Sequence, residues 1–327
     1  MHTIEFINHA SVLISNGDVS ILSDPWYQDT VFNEGWGLID EFNDDDIGSI
    51  LNRTNFIWLS HEHPDHFSVS FFNKFKNIII NNNIKILFQK TRDARVVNFL
   101  KSKGLEVLEL DDNKSLNLAS NFKIKVIQVD FYDSALILDL DGKKIANLND
   151  CPFESDLQLK SFASKSGNID LLLTQFSYAA WKGGKANTVW RKSAALEKLK
   201  VMEKQSHYLN CKKIIPFASF IYFSNYSNFY LNDSVNTPKK VVNYFQNTDI
   251  EAIFMRPFEK QNLINISQSN TSIDFWKQKF EKIKNLIPQD YSRSFSIDDL
   301  KNEFKIYKSR LYKKNNNILM STLALLK

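Results

Sequence analysis

Apolar residues fall in short blocks separated by polar turns, and fewer stretches show helical spacing. Residues 3 to 7 and 11 to 15 run apolar or alternate, Asn16-Gly17-Asp18 supplies a turn, and residues 19 to 23 return, which predicts a β-meander. Phe56-Ile57-Trp58-Leu59-Ser60 has the length of a buried strand. Residues 78 to 88, interrupted by Asn81-Asn82-Asn83, suit either a strand or a helix, turn and strand, and Thr91 to Lys103 has helical periodicity that stops before Gly104. Residues 123 to 129 and 134 to 140 read as strands, and Asp141-Gly142 turns the second into 144 to 148. Further strands are expected at 170 to 175, 214 to 220 and 250 to 255, with helices at 190 to 209 and from Thr237-Pro238, where Thr caps and Pro opens the first turn. Residues 33 to 48, acidic and glycine-containing, read as an irregular segment, and from Asp274 onward the pattern is helical.

Strands and helices interleave in both halves, which predicts an α/β fold with two sheets and helices outside. No repeat is present, and no linker is rich enough in Pro, Gly or Ser to split the chain. Residues 1–270 read as one α/β domain and 271–327 as a helical, basic appendage.

Composition narrows this little. The chain has 327 residues, 43% of them hydrophobic, enough to bury a large core. No run of about eighteen apolar residues and no secretory leader pattern is found, so no membrane span is expected. Cys151 and Cys211 occur in unrelated contexts, which speaks against a disulfide framework and for a reducing cytoplasm. No Cys-x-His pair is present to hold a Rieske cluster. Residues 277 to 314 hold eleven Lys and Arg against five Asp and Glu, more net positive charge than the whole chain's +4. An anionic partner could read that surface. A solvated helical face is the preferred expectation, and no nucleic-acid partner is expected, because no stacking-aromatic pattern accompanies the charge.

The chemistry concentrates at His61-Glu62-His63-Pro64-Asp65-His66, directly after the apolar run at 56–60. Three of the six histidines, with Asp65, leave the strand end in one compact loop that Pro64 stiffens. Imidazole and carboxylate together suit zinc, manganese or non-haem iron.

This loop resembles the His-x-His-x-Asp-His signature of the metallo-β-lactamase superfamily. The resemblance implies a four-layer αββα sandwich with one or two divalent metal ions at an edge, zinc first and iron or manganese as alternatives. It implies that His61 and His63 hold one ion and that Asp65 and His66 hold a second. A bridging carboxylate is then expected at a strand end, and Asn147-Leu148-Asn149-Asp150-Cys151 offers Asp150. The chain departs from the family at two later histidines. The window Gln128-Val129-Asp130-Phe131-Tyr132-Asp133 offers only Asp130 or Asp133, and Asn225 stands where the last histidine is expected. His207 is expected on a helix surface, and His2 has no role. His9, at the start of a strand, is expected either to be structural or to face the site as a proton donor.

Asn8-His9-Ala10-Ser11, Ser23-Asp24-Pro25-Trp26, Thr174-Gln175-Phe176-Ser177, Pro216-Phe217-Ala218-Ser219 and Leu231-Asn232-Asp233-Ser234-Val235-Asn236-Thr237 are similar to the CMP-N-acetylneuraminate hydroxylase-like branch. The N-terminal part also resembles the L-ascorbate 6-phosphate lactonase-like branch. The expected activity is a cytoplasmic, metal-dependent hydrolase acting on a small anionic substrate (a sugar phosphate, lactone or nucleotide sugar), with Asp65 and His9 as catalytic residues. The alternatives are an iron-dependent oxygenase with a separate redox partner, and a non-catalytic ligand-binding relative. Trp181-Lys182-Gly183-Gly184-Lys185, Arg53, Arg92 and Arg256 are candidate anion contacts.

Overall fold

A computed structural model describes residues 1–129, 132–290 and 294–325. The first half runs β1 (Thr3–Asn8), β2 (Ser11–Ser15), β3 (Ser20–Ser23), β4 (Trp36–Leu38), α1 (Asp44–Leu51), β5 (Phe56–Leu59), α2 (Val69–Asn81), β6 (Lys85–Gln89), α3 (Arg95–Ser102), β7 (Val107–Leu110), β8 (Ser115–Ala119), β9 (Phe122–Gln128), β10 (Ser134–Leu140) and β11 (Lys143–Asn147). The second continues with α4 (Asp156–Ser166), β12 (Leu171–Gln175), α5 (Thr188–Tyr208), β13 (Lys213–Phe217), β14 (Ile221–Phe223), α6 (Pro238–Phe245), β15 (Glu251–Ala252), β16 (Lys260–Asn262), α7 (Asn270–Ile283), α8 (Ile297–Lys314) and α9 (Asn317–Leu325).

Two seven-stranded sheets form, in the orders β16-β1-β2-β3-β5-β6-β7 and β15-β13-β12-β11-β10-β9-β8, while β14 and β4 pair separately. Each sheet joins an antiparallel meander to a parallel half: β3, β5, β6 and β7 are parallel in the first, and β11, β12, β13 and β15 in the second. Strand alternation sorts side chains between layers. Val12, Ile14 and Trp58 face the second sheet's Val126, Leu136 and Leu138, whereas Leu13, Ile57 and Leu59 pack on Ile47, Phe72 and Val97 of α1–α3. Leu159, Phe162, Leu199 and Val241 of α4–α6 join the other side of the core, which completes the four-layer αββα sandwich.

Residues 33–48, expected to be irregular, instead supply β4 and most of α1. Asn43 caps α1 in a capping box with Asp46, and Asp44, Asp45 and Asp46 complement the positive end of the helix dipole. The stretch 78–88 is the helix, turn and strand alternative.

The chain divides into Met1–Gln289 and Asp290–Lys327. This differs by one helix from the boundary drawn at 270. Helix α7 belongs with the sandwich: Trp276 is fully buried, donates its indole N–H to the Met255 carbonyl at 2.9 Å, and lies 4.2 Å from the Phe220 ring. In the second unit, Ser296 and Asp299 cap α8 reciprocally, and no residue of that helix is buried.

Candidate metal centre

Parallel strands that end side by side place their following loops together. Ser23 of β3 pairs with Trp58 of β5, and the Asp24 N–H donates to the Trp58 carbonyl at 3.0 Å. Asp24 and the loop from Ser60 to His66 therefore leave the first sheet at one point. From the second sheet, Asp133 precedes β10 and Asp150 follows β11. His9, Asp24 and Asn149 all have positive φ (21°, 36° and 43°), a conformation that costs a non-glycine residue about 1 kcal/mol and clusters at functional sites.

Among the described residues, six donor residues form two groups, His61 with His63 and Asp150, and His9 with Asp65 and His66, each with ligand atoms within 4.8 Å of one another. His61 Nε2 and His63 Nδ1 are 2.8 Å apart, and Asp150 Oδ1 lies 3.9 Å from His61 Nε2. Asp150 Oδ1 also lies 3.4 Å from His66 Nε2, and Asp65 Oδ2 lies 3.3 Å from that nitrogen. His9 Nε2 is 3.4 Å from Asp65 Oδ2. The two groups thus touch through His66 and Asp150. Asp133 Oδ1 stands 3.9 Å from His61 Nδ1. Asp130 lies outside the described residues.

Asp24 organises the groups from beneath, a role not assigned to it in Ser23-Asp24-Pro25-Trp26 from the sequence alone. Its Oδ1 accepts the Ser60 N–H at 2.8 Å, and its Oδ2 accepts the Ser60 hydroxyl at 2.7 Å and His66 Nδ1 at 2.9 Å. With its proton committed to Asp24, Ser60 Oγ can accept at 3.0 Å from His61 Nδ1. This network assigns the Nδ1–H tautomer to both histidines and leaves both Nε2 lone pairs pointing into the site. The available signal was position: Ser23-Asp24-Pro25 ends the strand beside the one that carries the histidine loop.

The cluster holds more negative charge than its own side chains neutralise. Burial would lower the His66 pKa, yet Asp150, Asp65 and Asp24 together hold it well above the usual histidine value. Burial would raise Asp65 and Asp150, yet the His66 imidazolium holds both below the usual carboxylate range. Burial, then the His66 charge, lowers His61 to about 3. Burial, then the Asp150 carboxylate, raises Asp133 to about 7. Burial also lowers His9. A second proton, on His66 Nε2, therefore supplies the positive charge these carboxylates require, and a divalent cation would displace that proton and restore the lone pair. Asp65 Oδ1, Asp150 Oδ1 and His66 Nε2 are nevertheless buried without a hydrogen-bond partner, each at a cost of about 1–3 kcal/mol. Unpaired lone pairs converging from imidazole and carboxylate fit a divalent cation.

These groups form the floor of a cavity of about 390 Å³ that includes His63, Asp65, Asp150 and Gln175, walled by Phe32, Trp36 and Tyr178. Lys182 and Lys198 stand at its side. Lys198 pairs with Glu154 at 3.1 Å, while Lys182 has no acidic partner among the described residues. The Lys182 loop is fixed from below. Fully buried Arg191 donates to the Gly184 carbonyl at 2.7 Å, the Lys185 carbonyl at 3.0 Å and the Asp233 carboxylate at 2.6 and 2.8 Å. Gly183 has φ 81°, and a Cβ there would lie 2.5 Å from the Asn187 side chain, so the loop requires glycine. The other anion candidates are elsewhere: Arg53 pairs bidentately with Glu5 at 2.6 and 3.0 Å, and Arg92 and Arg256 do not line the cavity. Asn225 accepts from the Ser227 N–H and hydroxyl and shapes a local turn. His207 is exposed on α5.

A β-lactamase superfamily domain model matches residues 3–174. The chain belongs to the metallo-β-lactamase superfamily. It is 22% identical over 247 residues to the cytidine monophosphate-N-acetylneuraminic acid hydroxylase of Xenopus laevis, covering 71% of this chain and 40% of that protein. It spans about half the length of the curated relatives it matches. Among solved structures of this superfamily fold, CmlA, a diiron β-hydroxylase from Streptomyces venezuelae, aligns with a TM-score of 0.56 at 15% identity, over 80% of this chain and 54% of its own. Igni18, a metallo hydrolase from Ignicoccus hospitalis, aligns with a TM-score of 0.52 at 14% identity, over 80% and 97%. The superfamily assignment and the two donor groups make this a metal-binding fold.

Proposed function

We propose that the protein is a metal-dependent hydrolase acting on a small anionic substrate, with zinc as the first candidate ion. The observation that carries this reading is the pair of touching donor groups at the floor of an aromatic cavity with an unpaired lysine at its side. His61, His63 and Asp150 would hold one ion, and Asp65 and His66 a second, with His9 adjoining. When bound, such ions polarise a carbonyl or phosphoryl oxygen and bring the pKa of water to about 7. The rest of the work belongs to the chain. Asp24 and Ser60 fix the two histidine tautomers. Where no second ion is bound, Asp65 Oδ1, unpaired and buried, accepts a proton, while His9 Nε2 orients the other oxygen of that carboxylate. Lys182 attracts the anionic part of the substrate, and Phe32, Trp36 and Tyr178 exclude water around it. The two buried, unpaired thiols accord with a cytoplasmic setting.

A second reading is an iron-dependent oxygenase on the same residues. It is supported by the carboxylate excess, since Asp133 adds a third acid to Asp65 and Asp150, and by the hydroxylase names of the Xenopus laevis and CmlA relatives. It requires a separate electron donor. The zinc-loaded and iron-loaded full chain, screened in parallel against phosphoesters, lactones and nucleotide sugars, tests the two. The hydrolase reading predicts cleavage of an anionic substrate, with Lys182→Gln raising KM about tenfold through loss of one charge-assisted contact. Oxygen uptake by the iron form with an added reductant, and no cleavage by either form, would replace it with the oxygenase.

A further inference from the structure

Helix α8 carries Ile297, Leu300, Phe304, Tyr307 and Leu311 at spacings of three and four, which puts them on one face. Ile297 is 71% exposed, Leu300 58%, Phe304 63% and Tyr307 59%, so no described residue of the second unit covers that face. Helix α9 follows with the sequence Asn317-Ile318-Leu319-Met320-Ser321-Thr322-Leu323-Ala324-Leu325, which has no charged residue, and its Ile318 is 79% exposed. Charge is distributed one-sidedly along the same segment. Lys305, Lys308, Arg310, Lys313 and Lys314 follow Glu303, and no acidic residue occurs after it. None of the five has an acidic partner among the described residues, since the ion pair within α8 joins Lys301 and Asp298. Helical geometry sets Lys301 and Lys308 along one border of the apolar face and Lys314 along the other, where long side chains can lie over apolar surface and keep their charge in the polar zone.

We propose that α8 and α9 form a docking surface for an anionic lipid bilayer. The helices lie in the headgroup interface with the apolar face inward and the lysines against lipid phosphate and carboxylate groups. A basic amphipathic helix followed by a short uncharged apolar helix is the composition that this interface selects. No helix among the described residues is long and apolar enough to cross a membrane, and the contact proposed is with the headgroup interface. A second copy of the chain fits less well. The 3-and-4 spacing also suits a coiled-coil seam, but α8 at 18 residues falls short of the roughly three to four heptads that mark one, and lacks acids beside its later lysines to pair across it. A seam along α8 would also leave the apolar residues of α9 uncovered.

The test is co-sedimentation of the full chain with vesicles of phosphatidylcholine containing about 30% phosphatidylserine, against pure phosphatidylcholine, at low salt. Binding to the anionic vesicles, weak binding to the neutral ones, and release at about 0.5 M salt are expected. Replacing Lys305, Lys308 and Lys313 together by Gln should weaken the apparent affinity about a hundredfold, at about fivefold per charge. Phe304→Asp with Leu319→Asp, both at exposed positions of the second unit, should abolish it. No sedimentation with anionic vesicles, or equal binding to both kinds, overturns the proposal. So does a dimer in solution that Phe304→Asp disperses while vesicle binding is absent.

Discussion

Asp24→Asn should disable the site while leaving the fold intact, and the size of the effect follows from the hydrogen bonds of a single carboxylate. Asp24 is fully buried and accepts three hydrogens, from the Ser60 N–H, the Ser60 hydroxyl and His66 Nδ1. An amide of the same shape can accept on one side only. If its oxygen stays on the Ser60 N–H, its NH2 faces His66 Nδ1, which must give up its proton. That proton then sits on Nε2, the atom 3.3 Å from Asp65 and 3.4 Å from Asp150, and a protonated nitrogen ligates no metal. If the amide turns over, its NH2 meets the Ser60 N–H, and two buried donors left facing each other cost about 1–3 kcal/mol. Partners that orient metal-ligating histidines are worth about 10–100-fold in affinity, or about 1.4–2.7 kcal/mol. The global stability change is smaller. Burial already raises the Asp24 pKa against the lowering by His66 and Ser60, so the amide sheds a desolvated charge along with its charged hydrogen bonds. Competition against a chromogenic chelator reads the affinity, and circular dichroism with a thermal scan reads the fold. The expected result is zinc affinity lowered 10–100-fold with the spectrum unchanged. Zinc affinity within twofold of wild type would refute the idea that Asp24 sets the His66 tautomer.

Three other outcomes follow from the packing. Trp276→Ala should cost about 3–5 kcal/mol, because it removes a fully buried indole and leaves the Met255 carbonyl without its donor; chemical denaturation reads it, and a loss under 1 kcal/mol would detach α7 from the sandwich core. Arg191→Met should free the 182–185 loop, because it removes the donors to two loop carbonyls and to Asp233; limited proteolysis should then cut there well before wild type, and an unchanged cleavage pattern would show that the loop holds itself. Burial lifts the Cys211 thiol to about 11 and Cys151 well above its usual value, so neither is thiolate near pH 8, and a maleimide should label them only after denaturation.

The histidine loop was legible because its chemistry is local: six consecutive positions bring His61, His63, Asp65 and His66 to one strand end. Asp150 was legible one step further, from the place where β11 runs out. Asp24 was not, because one aspartate before a proline reads as turn chemistry until β3 and β5 are known to be parallel neighbours. Strand β8 (Ser115–Ala119) left little trace, since it is an edge strand with half-exposed side chains and needs no apolar face. Helix α1 carried its signal in Asn43 and the three aspartates of its first turn, which read as an acidic loop when charge is weighed without capping. The boundary at 270 fell early for a related reason. Trp276, Phe280 and Ile283 form a core stripe, but the lysines between them made α7 resemble the basic helix that follows. The missing later histidines have a structural counterpart in part: Asp133 approaches His61, whereas Asn225 serves its own turn.

Metal content tests the central claim most directly. Full-length protein, purified without an affinity metal and dialysed against chelator-treated buffer, should retain about one or two equivalents of zinc by elemental analysis. Asp150→Ala, which removes the oxygen shared between the two groups, should lose most of it. Iron at the same stoichiometry would keep the donor groups and move the chemistry to the oxygenase. Absence of bound metal from wild type, even after reconstitution with zinc, iron or manganese, would contradict the account.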